Sequence, residues 1–315
     1  MKRPHRIGFV LYPQISTVNL AVSAVFEMAN WKAGYPIYEI TLVSERGGPV
    51  ATSVGSNILT ESYKRRSFDT ILVAGEHNPA AAAPPGVVRY LRSAGRRGVR
   101  IASICTGTFV LAEAGLLDGR RATTHWNHAR SLRERYPKVN LDVDRIFTSD
   151  GPIWTSAGMS AGIDLALALV EEDFGREMAR ETAKLMVVYH RRAGGQSQHS
   201  TLLDLDATSD RIQTVLAYAK RNLGKRLSMT DLADAACLSP RQFSRLFRDE
   251  TGQAPAKAIE LLRVESARLM MEAGRFSSEE IARKNGFGNR DRMRRSFIRA
   301  FGQPPQAIQR NMRAL

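Results

Sequence analysis

The chain has 315 residues, of which 43% are hydrophobic, and this is enough for the cores of two domains rather than one. Two cysteines argue against a disulfide framework and a cysteine zinc site, so we expect a reducing, cytoplasmic setting. The formal net charge is +15, and residues 209–315 carry 21 Lys and Arg against 11 Asp and Glu. This asymmetry indicates that the last third meets a polyanion, although a solvated basic surface would have the same charge.

The start of the chain lacks the pattern of a targeting segment. MKRPHRIGFVLYP is basic, but its apolar run is short and leads directly into globular sequence, so no signal peptide is predicted. No stretch of the sequence approaches the ~20 apolar residues that span a membrane, and we predict no membrane partner.

Up to residue 190, short runs rich in Val and Ile alternate with amphipathic helical patterns. Such alternation is typical of an α/β domain with a mainly parallel sheet and helices on both faces. Strands are predicted at 5–12, 38–46, 69–76 and 99–104, and helices at 19–34, 86–98, 106–119 and 162–189.

A linker is predicted at 191–208, where Gly, Ser, Gln and Asp replace the periodic pattern. It separates an α/β domain at 1–190 from a domain at 209–315 in which nothing resembles a strand. The sequence therefore predicts an all-α second domain, with Cys237 in its core on the apolar side of a short helix.

The second domain contains an internal repeat with a period of about 50 residues, between 228–255 and 277–305. Each copy opens with a capping-box pattern, at Ser228 and at Ser277, and continues through a tight turn into a second helix with an apolar back. In the first copy the second helix begins with another box, formed by Ser239 and Gln242. The front of that helix bears Arg and Gln, which suit guanine, adenine and phosphates in a major groove. The predicted DNA contacts are Arg241, Gln242, Ser244, Arg245 and Arg248 in the first copy, and Arg290, Arg294 and Arg295 in the second.

The last hundred residues resemble the AraC/XylS-type DNA-binding domain. The motifs that carry the resemblance are GQAP and GQPP, the block IARKNGFGNRDRMRRSF, and a long helical stretch at 256–273 between the two copies. The resemblance implies two helix-turn-helix units whose recognition helices enter successive major grooves one helical turn apart. Asn289 stands where a Ser cap is usual in that family.

A cysteine stands at a predicted strand-to-helix corner in ASICTGTF, 102–109. A nucleophile sits at such a corner in many enzymes, and the positive end of a helix would favour its thiolate. Residues 102–126 and 150–172 resemble the PfpI-like group of the class I glutamine-amidotransferase-like superfamily. The resemblance implies that Cys105 is the elbow cysteine and that His125 lies near it. The assisting acid is not matched, because Asn19 stands where regulators of this type often carry Asp.

Polar residues after several predicted strands would meet at one rim of the sheet, where open parallel sheets bind ligands. A lone His can instead be a surface group, and the cysteine a small buried hydrophobe. No catalytic residue and no cofactor is predicted. No metal site is predicted either, since the spacing of His125, His128 and His190 is not that of metal ligands. The predicted ligand-binding residues are Asn19, Glu76, His77, Cys105, Thr106, His125 and Trp126.

The fusion of these two domains resembles the GlxA- and FtrA-like transcriptional regulators. It implies a DNA-binding activator controlled by a small molecule such as an amino acid or a related nitrogen compound. The expected partners are double-stranded operator or promoter DNA, RNA polymerase, the effector and a second copy of the chain in a homodimer. Two alternatives stay open: a PfpI-like cysteine hydrolase or hydratase with a DNA-binding tail, and a ligand-blind architectural DNA binder.

Overall fold

The computed structural model describes residues 3–76, 78–79, 81–143, 145–188, 198, 209–272, 274–301 and 303–307. The chain divides into two compact units, 1–198 and 199–315. The predicted linker 191–208 lies, apart from Gln198, outside the described residues, so its boundaries stay a prediction. Among the helices of the described part, none is long and apolar enough to cross a membrane.

Eight strands among the described residues of the first unit form one sheet, and two short strands pair separately. The strands of the sheet are β1 His5–Val10, β2 Tyr38–Ser44, β3 Gly48–Ala51, β4 Asn57–Ser62, β5 Thr70–Val73, β6 Arg100–Ile104, β9 Phe147–Asp150 and β10 Ile153–Ser156, and the separate pair is β7 Arg121–Ala122 with β8 Asn140–Leu141. The order in the sheet is β3-β4-β2-β1-β5-β6-β10-β9. Neighbouring strands from β4 to β10 run parallel, whereas the edge strands β3 and β9 run antiparallel to their neighbours. The mainly parallel α/β fold is therefore confirmed.

Helices cover the sheet in two groups, α1 with α5 and α6, and α2 with α3. Every residue of β5 and the last four of β1 are buried, so both pleats of the central strands face protein. The predicted helix at 162–189 is wrong in its continuity, because Gly175 at φ 86° ends one helix and begins the next. The helices are α1 Ser23–Ala33, α2 Pro85–Arg96, α3 Gly107–Glu113, α4 Ala129–Arg135, α5 Met159–Phe174 and α6 Arg176–Leu185, with a 3-10 turn over Thr17–Val22.

The described residues of the second unit form helices and no strands, as predicted. Two separate apolar clusters stabilise it, one around Phe243 and Phe247 and one around Met293 and Phe297. The helix at Pro255–Glu272 contributes to both clusters, so each copy of the repeat has its own core on a shared helix. The helices are α7 Asp210–Arg221, α8 Met229–Ala235, α9 Pro240–Thr251, α10 Pro255–Glu272, α11 Ser278–Lys284 and α12 Arg290–Phe301.

Local side-chain signals set the starts of these helices. The capping boxes predicted from Ser228, Ser239 and Ser277 are all confirmed, with reciprocal side-chain bonds at each helix start. Asn289 caps α12 through its Oδ1, which accepts from the Arg292 amide at 2.9 Å. The predicted core position of Cys237 is wrong: it is exposed, in the turn after α8, with φ +54°.

Candidate ligand site and nucleic-acid interface

Cys105 lies at the corner between β6 and α3 with φ +56°, a left-handed conformation that non-glycine residues rarely adopt. Its amide donates to the Ser156 carbonyl at 3.0 Å. Its carbonyl accepts from the hydroxyls of Thr108 and Thr124, each at 3.1 Å. These bonds to three neighbouring segments hold the strained backbone in place, and the predicted elbow geometry is confirmed.

Burial raises the pKa of the Cys105 thiol above its ordinary value, although hydrogen bonds with Thr106 act in the opposite direction. The expected stabilisation of the thiolate is therefore wrong. The helix α3 has only seven residues, and its positive end does not compensate for removing a charge from water.

A cavity of about 590 Å³ opens at the carboxyl ends of β1, β5, β6 and β10. The strand order reverses between β1 and β5, and open α/β sheets bind ligands at such a switch point. Six of the seven predicted ligand residues line this one cavity, whereas His77 lies outside the described residues. They are Asn19, Glu76, Cys105, Thr106, His125 and Trp126.

Asn19 places an unusual polar atom in the cavity wall. The residue is 2% exposed, and its Nδ2 donates to the Gly75 carbonyl at 2.8 Å. Its Oδ1 is buried and has no hydrogen-bond partner in the described structure. A buried acceptor without a donor costs about 1–3 kcal/mol, so this atom favours a ligand that brings an N–H or O–H group.

Thr106 supports the cavity wall through its hydroxyl. The Oγ1 accepts from the Glu76 amide at 2.9 Å and donates to the Glu76 carbonyl at 2.6 Å. A Cβ added at Gly75 would come within 2.5 Å of that oxygen, so only glycine fits there. Thr106 therefore fastens the loop after β5 to the elbow.

Three titratable groups of the cavity, Glu76, Cys105 and His128, have pKa values shifted toward their neutral forms. Burial raises the pKa of Glu76. Burial, and then the nearby His125, lower the pKa of His128. The His125 Nδ1 accepts from the Asn127 amide at 3.3 Å, which leaves Nε2 to carry the proton of a neutral ring.

Sequence reasoning missed several residues of this cavity. The junction between β10 and α5 contributes Gly158, Met159 and Ser160, which were missed because the pattern at 147–156 did not reveal the strands β9 and β10. Gln198, from the predicted linker, also lines the cavity. No local signal marks it, since only tertiary contacts place its side chain there.

The front of α9 is exposed as predicted. Arg241, Arg245 and Arg248 form no ion pair or hydrogen bond with any described residue, and Ser244 is half-buried between them. The Gln242 Oε1 is engaged in the capping box, where it accepts from the Ser239 amide at 3.1 Å. A bidentate contact of Gln242 with adenine would therefore require that the box open.

The front of α12 is more engaged with protein. Arg290 pairs with Glu279 at 3.1 Å, and Arg299 pairs with Glu260 on α10. Arg294 and Arg295 are exposed and have no ion pair with the described residues. All four guanidinium groups keep access to solvent, so neither recognition helix is covered by its own unit.

Comparisons with known proteins assign each of the two units to a family. The DJ-1/PfpI family matches residues 8–172, and the helix-turn-helix domain family matches residues 232–311. The structure of Drosophila melanogaster DJ-1beta superposes with a TM-score of 0.51 at 24% identity, covering 59% of this chain and 98% of that one, and this likeness shows the fold. The chain belongs to the AraC-family helix-turn-helix regulators that carry an N-terminal DJ-1/PfpI domain.

Two relatives match almost end to end. The HTH-type transcriptional regulator CdhR of Pseudomonas aeruginosa is 32% identical over 302 residues, covering 94% of this chain and 89% of CdhR. The HTH-type transcriptional regulator GlxA of Rhizobium meliloti is 31% identical, covering 97% of this chain and 95% of GlxA. An enzyme, the isonitrile hydratase of Pseudomonas putida, is 31% identical over 182 residues, which cover 56% of this chain. This chain is thus a DNA-binding transcriptional regulator of the AraC type.

Proposed function

We propose that the cavity at Cys105 is the effector site of this regulator and that it takes a small nitrogen compound with an N–H donor, such as an amino acid or a related amine. The observation that carries the proposal is the Asn19 Oδ1, a buried acceptor in the cavity wall that has no described donor. A ligand that supplies the donor removes the cost of this atom. The volume of about 590 Å³ lies in the range of small-molecule sites.

The ligand controls transcription by changing how α9 and α12 meet DNA. A ligand shifts an equilibrium only when it binds one state more tightly than the other, so the effector must favour the DNA-competent state of an activator. We infer that the active form is a homodimer through the first unit, which sets the spacing of half-sites, and that it recruits RNA polymerase.

A cysteine hydrolase or hydratase is the second candidate function, favoured by the left-handed backbone at Cys105. The raised pKa of the thiol speaks against it, because the thiolate is the nucleophile. An amide at Asn19, in place of an acid, also leaves a histidine base without the usual orienting carboxylate.

The first experiment is a thermal-shift screen of the full chain with amino acids and amines, and with quaternary ammonium compounds as ligands whose charged nitrogen has no N–H donor. Each hit is measured again on Asn19→Ala and Cys105→Ala, with Cys237→Ala as the matched control. Both cysteines have a positive φ, +56° and +54°, so the backbone effect of the two alanines is the same. We expect the shift to be lost in Asn19→Ala, weakened in Cys105→Ala and kept in Cys237→Ala. A shift that survives both cavity substitutions would place the ligand elsewhere.

A second experiment separates regulator from enzyme. Purified chain, RNA polymerase and promoter DNA are combined with and without the hit, and run-off transcript is measured. We expect more transcript with ligand for the wild type and an altered response for Cys105→Ala, with DNA binding retained in both. Ligand turnover that Cys105→Ala abolishes would instead support the enzyme. Sedimentation of the chain on operator DNA tests the homodimer.

A further inference from the structure

Gln198 inserts its carboxamide into a cage of polar groups on the first unit. The Nε2 approaches four oxygen acceptors, and the Oε1 accepts from the Trp126 backbone amide at 2.8 Å. The four acceptors are the Thr124 carbonyl at 2.8 Å, the Val143 and Arg145 carbonyls at 3.0 Å each, and the Thr123 hydroxyl at 3.2 Å.

The cage has the chemistry of a primary carboxamide site. One end offers acceptors for an NH₂ group, and the other end offers one N–H donor for a carbonyl oxygen. A flipped amide would turn its oxygen toward the carbonyls, so the network fixes the orientation. A carboxylate at the same position would place an oxygen among oxygens, and a hydroxyl would fill only part of the set. The site therefore distinguishes an amide from its acid.

The cage shares its wall with the Cys105 cavity. Gln198 and Trp126 line that cavity together with Asn19 and His125, so a molecule in the cavity lies next to the docked amide. Any ligand large enough to fill the cavity would then contact Gln198, or compete for the Trp126 amide.

Gln198 is also the last residue of the first unit, and the covalent path to α7 at Asp210 runs through it. A docked Gln198 fixes the point from which that path leaves. A ligand that takes the place of the Gln198 carboxamide in the cage would release that point.

We propose that the cage is a carboxamide site with a tethered occupant, and that Gln198 acts as a latch between the ligand cavity and the segment leading to the DNA-binding unit. The coupling part of this proposal rests on the proposed function, because it requires an effector in the Cys105 cavity. The site itself would also take a small primary amide from solution when Gln198 is absent.

The test is hydrogen–deuterium exchange of the Trp126 amide in the full chain. Gln198→Ala and Gln198→Glu are compared with the wild type, and Gln196→Ala is a control of the same residue type two positions away. We expect exchange at least about tenfold faster in both Gln198 variants and no change in the control. Propionamide at about 100 mM should restore protection in Gln198→Ala and leave the wild type unchanged. Equal protection in the wild type and both variants would overturn the latch.

The same proteins separate this inference from the proposed function. If the Trp126 amide exchanges faster in the Gln198 variants and the dose of effector needed for DNA binding changes at least about fivefold, the coupling holds. If the Trp126 amide exchanges faster but the effector response equals that of the wild type, the coupling is refuted. If no cavity effector exists for the wild type, the proposed function fails, while the exchange and propionamide results still decide the carboxamide site.

Discussion

Arg245→Ala tests the assignment of α9 as a base-reading helix. Arg245 is exposed and forms no hydrogen bond or ion pair with the described residues, so we expect the stability of the free protein to change by less than about 0.5 kcal/mol. On DNA, a bidentate contact with guanine is worth about 1–3 kcal/mol of discrimination. That range corresponds to about a 5- to 150-fold weaker Kd.

The assay is fluorescence anisotropy on an operator selected from random DNA, with a point variant at each position. Arg211→Ala removes the same charge from an exposed position on α7, outside both recognition helices, and is the matched control. For Arg245→Ala we expect weaker binding to the operator and equal binding of the four bases at one position. The dependence of binding on salt should change little.

A phosphate contact would give a different result. The Kd would rise by a similar factor for every sequence, and the slope of log K against log salt would fall by about 1. That outcome would refute the assignment of Arg245 to base reading. It would move this role to Arg241 or Arg248, which share the same exposed face.

Four further predictions concern the cavity and the cores. Asn19→Ala should cost less than about 1 kcal/mol in a denaturant titration, because it removes the unpartnered Oδ1 and the Gly75 carbonyl still accepts from the Ser16 amide at 3.0 Å; a cost of several kcal/mol would contradict this. Gly75→Ala should destabilise the protein by about 1–3 kcal/mol, since the new Cβ would lie 2.5 Å from the Thr106 Oγ1 and 2.8 Å from the Ile104 carbonyl. The control Gly98→Ala has a backbone φ of +72° but no atom within 4 Å of the new Cβ, so it should cost about 1 kcal/mol from backbone strain alone. Burial raises the pKa of Glu76, so the folded protein keeps a proton at a pH where the unfolded chain has released it, and stability is lost as pH rises through the raised pKa. The Tm of Glu76→Gln should therefore exceed that of the wild type by more at about pH 7.5 than at about pH 4. A difference in Tm that does not depend on pH would be inconsistent with this cause. Phe297→Ala should cost about 3–5 kcal/mol in the second apolar cluster and leave hydrogen-exchange protection in α8 and α9 intact, because Phe247 belongs to the other cluster; loss of protection in both copies would mean that the two cores unfold as one.

The elements that the sequence predicted well have local causes. Ser239, Pro240 and Gln242 start α9 by contacts within four residues, and the apolar spacing of Phe243 and Phe247 selects its buried face. The strand at 100–104 and the cysteine after it follow from a short run of buried residues that ends at a corner. The failures have local causes as well: Gly175 interrupts a pattern that continues on both sides, and the turn after α8 exposes Cys237.

The sequence by itself determined the two-domain plan, the repeated helix starts and the residues at the ends of the parallel strands, because capping and periodicity act between near neighbours. Only the tertiary structure decided the edge strands β3 and β9, whose four-residue sequences become strands by pairing with neighbours. It also decided the direction of the Cys105 pKa shift, which burial sets, and the docking of Gln198, which depends on carbonyls more than 50 residues earlier in the chain. Desolvation and long-range hydrogen bonds depend on which segments meet in space, and spacing along the chain does not record that.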